Sequence, residues 1–188
     1  GISDILTKKG YQLILANTNN NIEEELKYLS LFKDNQVDGV IFIATILTKQ
    51  HRDMLKEYKV PIVLLGQRLE GYPCIFQDDQ KAAMTLTEQM VKTGSKFGYI
   101  TVTDKDEAVG RKRMSGVEEI LSKNKIEFGS EYVKCGDFTL ESGYEKAGEL
   151  FGEHPDIDTL ICATDTMAVG AVSWLKKNGY RIPEQVQV

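Results

Sequence analysis

The sequence predicts an α/β fold in two lobes, each a parallel sheet flanked by helices. Three observations carry that expectation. Short apolar runs alternate with longer segments of helical period, as parallel strands joined by crossover helices require. The run Gly39–Ala44 is continuously apolar, the pattern of a strand covered on both faces. The strand-then-helix scheme repeats on either side of Cys74–Gln77, which marks a passage between lobes at residues 1–76 and 77–188.

In chain order, Ile2–Lys9 reads as a helix end stopped by Gly10, and Tyr11–Ala16 as the strand that follows. Asn21 is placed to cap a helix reaching Asp34, with Glu24 completing a capping box and Ile22, Leu26, Leu29 and Phe32 forming an apolar stripe. Thr48 caps a helix to Tyr58. Pro61–Leu65 is a strand, Gly66–Pro73 a turn-rich loop, Cys74–Gln77 a short strand, and Asp78–Lys92 a helix. In the second half the strands are Phe97–Val102, Tyr132–Cys135 and Leu160–Ala163. The helices are Ala108–Ser122, Glu141–Phe151 and Thr166–Lys177. Asp38–Thr45 (DGVIFIAT) and Asp158–Thr164 (DTLICAT) echo one another across the halves. Ligands of open parallel sheets collect beyond the carboxyl ends of the strands, so Thr45, Gly66 and Thr164 mark the functional edge.

The 188 residues, 41% of them hydrophobic, suffice for two small cores. Twenty-three basic against 28 acidic residues, net −5, with no basic run, leave this stretch without a phosphate-tracking surface for nucleic acid. No apolar segment is long enough to span a bilayer, and no basic-then-apolar leader opens the chain; no membrane partner is expected. Cys74, Cys135 and Cys162 are odd in number and lack CxxC spacing, which argues against a disulfide framework or zinc site and for a reducing cytoplasm. Both ends read as limits inside a longer protein, since the chain opens on Gly1 and stops between elements.

No nucleophile elbow, Walker loop, dinucleotide fingerprint or HExxH is present, so neither catalysis nor a metal or cofactor is expected. His51, in a polar helix, and His154, in a Glu-His-Pro turn, are expected on the surface. Asp78 and Asp79 are expected to cap their helix. Arg113 is the most informative residue. Helical phase sets it beside Val117, Ile120 and Leu121, with Arg111 pointing away. Two roles are open to a guanidinium in an apolar stripe: holding the hydroxyls or anion of a ligand at the cleft, or pairing with a core-edge carboxylate. Phe76 and Phe138 lie near the same edge, where an aromatic face suits a sugar ring or simply packs in a core. Gln67 and Arg68 follow a strand end and read, from the residues alone, as exposed loop polarity.

Ala16–Phe32, Gln36–Thr45, Val109–Val117 (VGRKRMSGV), Gly136–Tyr144 (GDFTLESGY) and Cys162–Val188, with ATDTMAVGA followed by GYRIP, resemble in order and spacing the effector-binding core of the lactose-repressor (LacI/GalR) family. The resemblance implies a periplasmic-binding-protein-like fold of two Rossmann-like lobes. It also implies a homodimer, a sugar or sugar-phosphate effector in the cleft, and operator DNA bound through a helix-turn-helix outside this chain. It gives Arg113 the effector-binding role, Phe138 a stacking role, Phe76 an aromatic role at the first crossover and Thr164 a polar ligand contact, with Asp165 starting the following helix; Asp165 and the strand-end Thr45 complete the expected effector-binding set. It sets the dimer contact on Leu140, Tyr144, Val169 and Ser173. Gly66-Gln67-Arg68 resembles the sucrose- and trehalose-responsive branch, with Arg68 placed to neutralise a sugar phosphate. The resemblance also places one core strand before Gly1 and the returning crossover segments after Val188. The rival readings are a periplasmic or lipid-anchored sugar receptor and an enzyme on a Rossmann-like scaffold.

Overall fold

In a computed structural model describing Gly1–Val188, the strands form two separate three-stranded sheets, parallel throughout. The first joins β1 (Val40–Ile43), β2 (Ile62–Leu65) and β3 (Cys74–Ile75) in that order. The second has β4 (Phe97–Thr101) between β5 (Val133–Cys135) and β6 (Thr159–Cys162). The helices are α1 (Ile2–Lys8), α2 (Ile22–Asp34), α3 (Lys49–Lys56), α4 (Asp79–Met90), α5 (Arg113–Lys123), α6 (Leu140–Glu153) and α7 (Asp165–Lys177).

The second sheet is covered on both sides. All five residues of β4 are buried, and α4 packs with α5 while α6 packs with α7. Its core gathers Phe97, Tyr99, Ile100, Leu150, Leu160 and Met167 among 18 buried residues. From β4 the chain crosses to β5 on one side and then returns past β4 to β6, so the carboxyl ends of β4 and β6 flank a topological switch point, where such sheets bind ligands.

Helices α6 and α7 approach closely enough to require glycine. A Cβ on Gly170 would overlap the Leu140 carbonyl, and one on Gly143 would overlap the Met167 backbone. Gly170→Ala is therefore expected to cost roughly 1–3 kcal/mol of stability by forcing the helices apart. A urea midpoint equal to that of the unaltered chain would contradict the contact.

The first sheet departs from expectation. Phe42 and Val40 are buried, but Ile41 is 43% and Ile43 70% exposed, because α2 and α3 cover one face only and α1 buries no residue. Tyr11–Ala16 is not a strand: no ladder partner lies beside it, and Leu13, Ile14 and Leu15 remain exposed. Asn21 does cap α2, its side chain accepting from the Glu24 N–H at 3.0 Å, but the reciprocal half of the capping box is absent. The remaining helices and strands match the predicted elements to within a few residues.

Candidate functional site

Two local features bring the site together. At the start of α4, Asp78 takes the N-cap, accepting from the Lys81 N–H at 3.0 Å, which leaves the buried Asp79 free to face α5. Ahead of α5, Glu107–Lys112 forms a π-helical turn, capped by Asp106, which accepts from the N–H groups of Ala108 and Val109 at 3.1 and 2.9 Å. Gly110 packs that turn against the Thr103 carbonyl, where a side chain would not fit.

Arg113 emerges from this turn. Its Nε donates to Asp79 Oδ1 at 2.8 Å, its Nη2 lies 2.7 Å from the same oxygen in an ion pair, and its Nη1 donates to the carbonyl of Ala163, just after β6, at 2.6 Å. The carboxylate partner that an apolar-stripe arginine needs is thus Asp79, so Asp79 is more than part of a cap. Arg113 is not consumed by that pairing. Its side chain keeps 25% exposure and lines a cavity of about 310 Å³ between α4, α5 and the carboxyl end of β6, with Tyr99 of β4 in its wall.

Arg113, Thr164 and Asp165 from the sequence-predicted set meet in this cavity. Thr164 caps α7 through the Met167 N–H, which sets Asp165 at the first helical position. Gln77, Leu86, Tyr99 and Cys162 also line it and escaped the sequence reading; the visible signal was a tyrosine and a cysteine inside otherwise apolar strands. Burial pushes the Tyr99 phenol up to about 12, against the opposing pull of Thr101 and Arg113, and the Cys162 thiol also up to about 12. Both groups stay protonated at neutral pH, so neither is a ready nucleophile or base.

Other predicted residues lie elsewhere. Phe138 is half-buried against the second core and Phe76 is 47% exposed; neither lines the cavity. Gln67 is not exposed loop polarity. It is buried, and its Nε2 donates to the Thr45 carbonyl at 2.8 Å and to Asp106 Oδ1 at 3.1 Å, joining the ends of the two sheets. Arg68 is exposed. Leu140, Val169 and Ser173 are exposed and Tyr144 half-buried on the outer surface of the packed α6–α7 pair.

His51 corrects a further expectation, because it is wholly buried rather than on the surface. The inward face of α3 carries His51 and, four residues on, Leu55. The His51 Nε2 lies 3.1 Å from the carboxylate of the equally buried Glu25 on α2. The Thr48 N–H points at Nδ1 at 3.3 Å, while neither His51 Nε2 nor Glu25 Oε2 makes a hydrogen bond within the chain. His154 is half-exposed, with its ring 4.6 Å from that of Tyr132. No cluster of three or more His, Cys, Asp or Glu has the proximity to hold a metal, and no helix is long and apolar enough to cross a membrane.

Comparison with known proteins converges on the same architecture. The family model for periplasmic binding proteins and the sugar-binding domain of the LacI family matches residues 1–188. Catabolite control protein A of Priestia megaterium is 28% identical over 191 residues, which cover 100% of this chain and 58% of that protein. The sucrose operon repressor of Staphylococcus xylosus is 28% identical over 170 residues, 90% of this chain and 52% of that one. The chain thus spans little more than half the length of these relatives. Among solved structures, the transcription regulator CcpA of Lactococcus lactis superposes with a TM-score of 0.89 at 31% identity, covering 99% of this chain and 69% of that one. A transcriptional regulator CelR–cellobiose complex gives 0.86 at 27% identity, covering 100% and 58%. With a family-model match over residues 1–188 and a shared fold, this chain belongs to the family of periplasmic binding proteins and LacI-type sugar-binding domains, as a LacI/GalR effector-binding core.

Proposed function

We propose that the chain is the sensing core of a cytoplasmic, sugar-responsive transcription regulator that is not an enzyme. Its lobes, residues 1–76 and 77–188, close on a sugar-type effector, and that closure alters operator affinity through a DNA-binding head outside this chain. The observation that carries the reading is the second-lobe cavity at the carboxyl end of β6, where Arg113, Thr164 and Asp165 offer donors and acceptors beside the apolar wall of Leu86, Val117 and Ile161. Relatives named as sucrose and ribose repressors, and a neighbour solved with cellobiose, support a sugar as the class of effector. Arg113 is the principal contact, assisted by Thr164 and Asp165, with Phe76, Phe138, Thr45, Gln67 and Arg68 at the margins. The exposed apolar strip at Leu140 and Val169, flanked by Tyr144 and Ser173, supports a homodimer contact on α6 and α7, matching the symmetry of a palindromic operator.

The test is an operator-shift assay with the full-length gene product and a panel of sugars. One sugar is expected to change operator affinity by about 5- to 150-fold, the usual span of allosteric coupling. A full-length product that binds sugar but no DNA would instead be a receptor.

A further inference from the structure

We infer that the cavity selects a neutral, hydroxyl-rich ligand over its phosphorylated counterpart, and that Asp79 sets this preference. The inference rests on the effector reading above and narrows its ligand class. Arg113 is the only basic residue lining the cavity. Its charge is matched from behind by Asp79, whose Oδ1 accepts from Nε and lies 2.7 Å from Nη2, and its Nη1 is engaged by the Ala163 carbonyl. Of five guanidinium N–H groups, two are hydrogen-bonded within the chain, on Nε and Nη1. The three that remain, one on Nη1 and two on Nη2, can donate to ligand oxygens, but the charge they carry is already compensated by Asp79.

Besides Asp79 behind the guanidinium, the cavity wall itself carries a carboxylate. Asp165 lines the wall and forms no ion pair with any basic group of the chain. One cation therefore faces two carboxylates. A phosphoryl group entering this space would lose its hydration, meet Asp165, and find no free cation unless Arg113 abandoned Asp79. The buried Asp79 would then be left unpaired. A sugar hydroxyl has no such difficulty: it accepts from Arg113 and donates to Asp165, while the apolar wall receives the ring face. Arg68, the other guanidinium considered for a sugar phosphate, is outside this lining.

Inorganic phosphate is the probe that tests this without knowledge of the effector. The readout is the side-chain Nε–H resonance of Arg113 in the 15N-labelled chain, assigned by its disappearance in Arg113→Lys. At constant ionic strength, millimolar phosphate is expected to leave this resonance without a saturable shift in the unaltered chain. In Asp79→Asn the shift becomes saturable, with affinity for phosphate raised at least about tenfold, since the compensating charge is gone. A saturable phosphate shift in the unaltered chain overturns the inference, and so does a folded Asp79→Asn chain with no gain. If Asp79→Asn fails to fold, the unaltered chain decides the matter. A sugar panel without effect would count against the effector reading yet leave the Arg113 resonance test intact, so the two failures are distinguishable.

Discussion

Arg113→Ala is expected to weaken effector binding by roughly thirty- to a thousandfold, or about 2 to 4 kcal/mol, because it removes a charge-assisted donor pair from the cavity wall. The same substitution strikes stability. Asp79, with a side chain only 4% exposed, loses the guanidinium that neutralises it and is left as a buried, unpaired carboxylate. The two consequences separate in a double variant. Arg113→Met with Asp79→Asn removes the stranded charge, so the melting temperature should recover most of its loss while effector affinity does not. Calorimetric titration beside a melting curve reads both quantities. Unchanged affinity in a folded Arg113→Ala chain would reduce Arg113 to a structural ion-pair residue.

Glu25→Ala should destabilise the first lobe by about 1 to 3 kcal/mol, since it strips the polar neighbour from a fully buried imidazole beneath α2 and α3. The pair also shapes the acid response. Burial lowers the pKa of His51 from 6.5, so its contribution is complete above pH 6.5 and is lost as pH falls through the folded value. Burial raises the pKa of Glu25 from 4.5, against a lowering hydrogen bond from Thr18. Its contribution is complete below pH 4.5 and is lost as pH rises through the folded value. Between these limits the two slopes oppose each other. Glu25→Gln leaves the His51 slope alone, so acidification from pH 6.5 should lower the urea midpoint more steeply than in the unaltered chain. A parallel pH profile would show that the two groups do not titrate as a pair.

Much of the fold was legible because its signals are local. Thr48, Asp78, Thr139 and Thr164 each cap a helix through a side-chain oxygen, and apolar runs locate five of the six strands nearly residue by residue. The misreadings share a cause: burial is a property of neighbours. Gly39–Ala44 and Tyr11–Ala16 have the composition of covered strands, yet one keeps an open face and the other has no ladder partner within the chain. Glu25 and His51 look like surface residues in charged helices because each is paid for by the other across a sequence gap no periodicity spans. The site followed the same rule. Helical phase located Arg113 and strand ends located Thr164, but Asp79 as the ion-pair partner, and Gln67 as a bond between the sheet ends, emerge only from three-dimensional juxtaposition.

The claim that the cavity beside Arg113 is the effector site is tested most directly by titrating the 15N-labelled chain with cellobiose, sucrose and ribose and mapping the perturbed resonances. The result predicted here is saturable shifts, for at least one neutral sugar, concentrated on the Arg113 side chain and the backbone amides of Ala163, Thr164 and Asp165. A sugar that binds saturably while leaving those four resonances unmoved, with its shifts centred elsewhere on the chain, would contradict the assignment.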